Sequence, residues 1–122
     1  MKPSCLVLLA HGSRNPNWRA PFDDLLAALR RQTGEDRVHL AYMQMATPSL
    51  SDVVRALASK GAQTIRILPL LMSGGNHAHE DIPAEVAALR AEHPGLAIEI
   101  LPPIGAHLRF RAMMQELVRE SL

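Results

Sequence analysis

The sequence predicts a parallel α/β protein, a four-stranded sheet with helices flanking both faces. Three observations carry this expectation. Apolar runs alternate with segments of helical period four times along the chain. The first run, from Ser4 to Ala10, is nearly all apolar, the mark of a strand covered on both sides. Glycine or proline stands at most of the junctions, where chain direction must change. Strands alternating with helices imply right-handed crossovers and a three-layer α/β/α arrangement. A flavodoxin-like strand order of 2-1-3-4 is expected. With no linker, low-complexity stretch or internal repeat, residues 1–122 read as one domain.

The elements follow in order. After the first strand, Trp18, Phe22, Leu25, Leu26 and Leu29 keep a helical period over residues 17–33, and Gly34 offers a stop. Residues 37–45 read as the second strand, with Val38, Leu40 and Tyr42 at a period of two, ended by Pro48. Ser49 or Ser51 then caps a helix carrying Leu50, Val53, Val54 and Leu57, which closes near Gly61. Residues 63–72 form the third strand, centred on Ile65, Ile67 and Leu68. Ser73-Gly74-Gly75-Asn76 reads as a loop. Asp81 is the expected N-cap of the next helix, with Pro83 in its first turn and Ile82, Val86 and Leu89 on one face. His93-Pro94-Gly95 ends that helix. Residues 96–101 form the fourth strand, stopped by Pro102-Pro103. A last helix runs from about His107 to the end, with Phe110, Met114, Leu117 and Val118 in helical spacing.

Composition narrows the function. A net charge of +1 gives no electrostatic footprint for a nucleic-acid backbone, and 3% aromatics disfavour a base-stacking surface. One cysteine, Cys5, excludes an internal disulfide and an all-thiolate zinc site; inside the first strand it reads as a small buried hydrophobe. The apolar run at the start is too short for a signal-peptide core or a membrane span, so a cytoplasmic protein is expected. The chain has no phosphate-binding P-loop, no dinucleotide fingerprint and no Gly-x-Ser-x-Gly elbow. Chemistry without nucleotide cofactors is therefore expected.

Against this background stand six histidines. Ligands of open parallel sheets bind beyond the carboxyl ends of the strands, near the point where strand order reverses. In the expected order, strands one and three are neighbours there. Strand one ends at His11-Gly12-Ser13-Arg14, and strand three leads into His77-Ala78-His79-Glu80-Asp81. Neighbouring strands lie ~4.8 Å apart, so His11 and His77 can meet around one ion. Imidazole with carboxylate suits divalent cobalt, iron, nickel or zinc. Arg14 can pair with a carboxylate in two-pronged fashion, and Arg19 is a weaker candidate for the same task. His39 and His93 read as structural or exposed, His79 as solvated, and His107 as a possible third group at the correct sheet edge. Met43, Met45 and Met72 read as core fillers that would also suit a flat apolar ligand.

Three stretches also resemble one family: residues 8–16 (Leu-Leu-Ala-His-Gly-Ser-Arg-Asn-Pro), residues 41–50 (Ala-Tyr-Met-Gln-Met-Ala-Thr-Pro-Ser-Leu) and residues 68–83 (Leu-Pro-Leu-Leu-Met-Ser-Gly-Gly-Asn-His-Ala-His-Glu-Asp-Ile-Pro). They resemble the class II tetrapyrrole chelatases of the CbiX/SirB type, the sirohydrochlorin cobaltochelatases and ferrochelatases, across nearly the whole chain. The resemblance implies a chelatase-like fold. It implies ATP-independent insertion of a divalent metal, Co²⁺ first and Fe²⁺ or Ni²⁺ as alternatives, into sirohydrochlorin or a related tetrapyrrole for cobalamin or sirohaem. It implies His11 and His77 as metal ligands and Glu80 as a group that accepts protons. Ser13, Arg14, Met43, Gln44, Ser73, Gly74 and Gly75 flank these residues at the strand ends and are the candidates for holding the tetrapyrrole. Where many family members carry Phe-Leu-Glu after the second strand, this chain has a neutral Gln44 behind Met43. Longer members resemble two such domains across a cleft, so a homodimer with the site between subunits is implied. Two other readings stay open on the residues alone: a non-catalytic metal carrier or sensor, and an interaction module with incidental histidines.

Overall fold

A computed structural model describes residues 4–73 and 75–122, residues 75–80 by their backbone alone. In order the elements are β1 (Ser4–Ala10), α1 (Pro16–Thr33), β2 (Val38–Tyr42), α2 (Leu50–Ser59), β3 (Thr64–Pro69), α3 (Gly75–Glu92), β4 (Ala97–Ile100), a 3₁₀ turn (Ile104–Ala106) and α4 (Leu108–Ser121). The sheet is parallel throughout with order β2-β1-β3-β4, as expected. β1 lies at the centre, paired with β2 from Leu6↔Val38 to Ala10↔Tyr42 and with β3 from Ser4↔Thr64 to Leu9↔Pro69.

Alternation along β1 sends its side chains to two separate cores. Cys5, Val7 and Leu9 join Ile65, Ile67 and Ile98 under Leu50, Val53, Val54 and Leu57 of α2 and Ile82, Val86 and Leu89 of α3. Leu8 and Ala10 join Val38, Leu40 and Tyr42 on the opposite face, beneath Trp18, Phe22, Leu26 and Leu29 of α1. Trp18 stacks obliquely on Phe22 and leans toward Tyr42. Each fully buried Leu, Ile or Val contributes roughly 1.5–3 kcal/mol, so the two cores together set the stability of the sheet. Leu25, expected on the core face of α1, is instead exposed.

Local chemistry accounts for the helix starts. Asn15 caps α1 by accepting from the Asn17 N–H, with Pro16 in the first turn, where its missing N–H costs nothing. Of the two serines offered for α2, Ser49 is the cap. Its hydroxyl accepts from the Asp52 N–H, and the Asp52 carboxylate accepts from the Ser49 N–H. Ser49→Ala is expected to lower unfolding free energy by ~1 kcal/mol in urea titrations, with an unchanged denaturant slope.

Two expectations are corrected. α3 begins at Gly75, not after Asp81, so Asp81 lies inside the helix rather than at its cap, and Pro83 is an interior residue. Ala78 and Glu80 are good helix formers, and burial of Ile82, Val86 and Leu89 downstream anchors the segment. Together these outweigh the one backbone bond that Pro83 forgoes. The strands are also shorter than read: 38–42 against 37–45, 64–69 against 63–72, and 97–100 against 96–101. Beyond these bounds single backbone bonds continue, as from the Leu70 N–H to the Leu9 carbonyl, but the regularly paired stretch has ended.

α4 differs from the other helices. None of its residues is buried, and Leu108, Met113, Met114, Leu117 and Val118 are all exposed. Its main contacts are with the preceding 3₁₀ turn. The face of the sheet beside α1 accordingly has exposed Arg66, Ala97 and Glu99. Arg66 and Glu99 pair there across β3 and β4. The 3₁₀ turn was not read from the sequence; it docks on the end of β3 through the Gly105 N–H, which donates to the Leu71 carbonyl. No helix among the described residues is long and apolar enough to cross a membrane.

Candidate functional site

The carboxyl edge of the sheet is where the chain gathers its chemistry. Beyond the last paired residues, the ladder between β1 and β2 continues through two more bonds. The Met43 N–H donates to the Ala10 carbonyl at 2.9 Å, and the Gln44 N–H donates to the His11 carbonyl at 3.1 Å. The loop after β2 is thereby held against the His11-Gly12 turn. Gly12 has φ +107°, a conformation open to glycine, and an added Cβ would overlap the Gln44 carbonyl oxygen. On the other side of β1, the Leu70 N–H donates to the Leu9 carbonyl, which fixes the exit of β3.

Arg19 secures the same loop from α1. Its guanidinium donates to the Thr47 carbonyl and lies 5.0 Å above the Tyr42 ring. That placement makes it a structural clasp, not the substrate-steering group suggested as its weaker role. Thr47-Pro48 is a cis peptide bond in this loop.

Between these turns and α3 lies a cavity of about 240 Å³ lined by His11, Met43, Gln44, Asp81, Ile82 and Glu85. His11 is exposed at its mouth and Met43 is half-buried. Asp81 and Glu85 stand four residues apart on α3 and share one side of that helix. The Ser51 hydroxyl, at the start of α2, donates to Glu85 Oε1 at 2.9 Å. Among the described residues, no three His, Cys, Asp or Glu side chains are grouped to hold one ion.

The candidates read from the sequence distribute as follows. His11, Met43 and Gln44 share the cavity. Ser13 turns its hydroxyl back to accept from the Asn15 N–H, and Arg14 is exposed beside it. Ser73 is exposed at the exit of β3. Gly75, His77 and Glu80 lie in the first turns of α3; the side chains of His77, His79 and Glu80 lie outside the described residues, as does Gly74. His107 caps α4 by accepting from the Arg109 N–H through Nδ1, a structural post that accounts for its place at the sheet edge. His39 is structural as read, hydrogen-bonded between the Asp36 carbonyl and Arg30. Cys5 is buried as expected, and burial pushes its thiol up from the ordinary range. Glu85 was missed. Its only sequence signal is the four-residue spacing from Asp81, which carries meaning once Asp81 lies within the helix.

A parallel sheet of order 2-1-3-4, with a histidine-bearing cleft at its switch point, defines the class of small α/β proteins that bind a ligand over the strand ends. Within that class the chain belongs to the CbiX family, whose model matches residues 5–121. It is 31% identical over 117 residues to a sirohydrochlorin cobaltochelatase of Sulfurisphaera tokodaii, covering 96% of this chain and 92% of that one. It is 28% identical to the chloroplastic sirohydrochlorin ferrochelatase of Arabidopsis thaliana, covering 96% of this chain but only 52% of the plant protein. Among solved structures, a candidate cobalamin (vitamin B12) biosynthesis CbiX protein from Marinobacter aquaeolei VT8 superposes with a TM-score of 0.81 at 33% identity, covering 98% and 95% of the two chains.

Proposed function

We propose that this protein is a sirohydrochlorin chelatase, which inserts a divalent metal into the tetrapyrrole without a nucleotide cofactor. The observation that carries the proposal is His11 at the carboxyl end of the central strand, in a cleft bounded by the helix that bears His77, in a chain of this family from residue 5 to residue 121. His11 and His77 are the metal's protein ligands, and Glu80 is a proton acceptor. Few protein ligands leave coordination positions open for the incoming ring nitrogens, and loose ligation lets the metal depart. Co²⁺ is the proposed first substrate, with Fe²⁺ next. The product feeds cobalamin or sirohaem synthesis, and the location is cytoplasmic.

The cavity at His11 is smaller than the ~300–1,000 Å³ usual for sites that bury a drug-sized ligand. It accommodates an ion and one edge of the ring, with Ser13, Arg14, Ser73, Gly74 and Gly75 as the rim that meets the macrocycle. The remaining cover is a second copy of the chain: residues 1–122 form one domain of a homodimer. Two observations support this. The apolar face of α4 lies exposed, and the plant relative, of which this chain covers about half, has length for a second such domain.

The activity test mixes the protein with sirohydrochlorin and Co²⁺ or Fe²⁺ and follows the tetrapyrrole spectrum. Insertion well above the protein-free rate is expected, and an unchanged rate would reject the proposal. Tight stoichiometric metal binding that sirohydrochlorin cannot discharge would support a carrier instead. For the dimer, sedimentation at micromolar concentration is expected to give twice the chain mass. Leu117→Asp, which puts a charge in the apolar face, is expected to weaken association about 100-fold. A wild-type monomer, or a variant that still dimerises, would count against the α4 interface.

A further inference from the structure

The geometry points to Glu85, oriented by Ser51, as a proton acceptor in the metal-insertion reaction; this rests on the chelatase reading above. Insertion breaks two pyrrole N–H bonds. In each, the electron pair left on nitrogen forms the bond to the metal, and a proton must go elsewhere. A histidine whose lone pair holds the metal cannot also take that proton. Glu80 is proposed above as one acceptor; a second has to be another group on the same cavity.

Of the residues lining it with His11, Met43 and Ile82 are apolar and Gln44 is a neutral amide. The carboxylates of Asp81 and Glu85 remain. Glu85 is held from another element, by the Ser51 hydroxyl on Oε1. That hydrogen bond holds the carboxylate while leaving Oε2 for a proton. Oε2 takes one proton and passes it to solvent through the open mouth; the other goes to Glu80, the acceptor proposed above. Among the described residues the charged or titratable neighbours are Asp81 one turn earlier on α3, His11 just after β1, and Arg55 on α2. Arg55 feels the Glu85 charge, but its guanidinium is engaged by Glu92. Ser51 is a positioning residue.

The test uses the full chain with sirohydrochlorin and Co²⁺, measuring kcat against pH together with Co²⁺ affinity by equilibrium titration. The wild type is expected to lose rate as pH falls and the acceptor carboxylate is protonated. Glu85→Gln, nearly the same shape, is expected to lose at least ~100-fold in kcat, the lower end of general-base effects, and to lose that acidic limb. Its Co²⁺ affinity should stay within about twofold. Glu85→Asp is expected to restore part of the rate and the acidic limb, and Ser51→Ala to slow turnover about 10-fold with the limb kept. A Glu85→Gln variant with wild-type kcat, or with an unaltered pH profile, overturns the inference. So does a loss of Co²⁺ affinity that matches the loss of rate, which would make Glu85 a metal ligand. If the wild type itself does not accelerate insertion, the chelatase reading fails and this inference falls with it.

Discussion

Gly12→Ala is expected to cost the protein about 3 kcal/mol or more of folding free energy, a large share of the 5–15 kcal/mol typical of a domain. Two penalties combine. At φ +107° a side chain strains the backbone, and the new Cβ overlaps the Gln44 carbonyl oxygen. Backbone, not a flexible side-chain end, is in the way. Relief requires moving either the His11 turn or the loop after β2. That loop is tied down by the Gln44 N–H bond to the His11 carbonyl and by Arg19 on Thr47. Urea titration followed by circular dichroism should show the midpoint fall sharply. Whatever fraction stays folded should insert metal slowly, because the relief displaces His11. A midpoint within experimental scatter of wild type would mean that the two turns are not in contact.

His11→Ala is expected to do the reverse, leaving stability nearly intact while reducing the rate of metal insertion about 100-fold or more. His11 is exposed, and its imidazole sits at the cavity mouth instead of in either core. Truncating an exposed side chain of this kind changes stability by less than about 0.5 kcal/mol. Loss of the proposed metal ligand should appear as weaker Co²⁺ binding alongside slower insertion. A variant that keeps more than half the wild-type rate would remove His11 from the site. Measuring the thermal midpoint with the rate separates this outcome from simple unfolding.

The sheet was legible because burial on both faces is written directly into composition. The runs at Ser4–Ala10 and around Ile65 and Ile67 have few polar residues, and the helical spacing of Leu50, Val53, Val54 and Leu57 leaves one register for packing. Strand ends were overread, since Leu70 and Leu71 continue the apolar run past the regularly paired stretch, Leu70 tied to it by one backbone bond. The start of α3 was misread because Asp81 followed by Pro83 resembles a cap and first turn. Tertiary anchoring by Ile82, Val86 and Leu89 overrides that local signal. His11 was proposed from its position at a strand end, where the structure sets it on the cavity, and His77 from its place after the neighbouring strand. Glu85 could not be found that way. Its meeting with His11 depends on where the third helix begins, and its link to Ser51 joins residues 34 positions apart.

α4 makes its main contacts with the turn before it, so the chain is expected to unfold in two steps. The sheet with α1, α2 and α3 melts as a unit whose midpoint reports the two cores. An isolated helix of 14 residues is marginal in water, so α4 on a lone chain opens at little free-energy cost and exchanges its amide hydrogens early. In the proposed dimer its folding becomes linked to protein concentration by mass action. Dilution should therefore loosen this terminal segment well before it disturbs the strands.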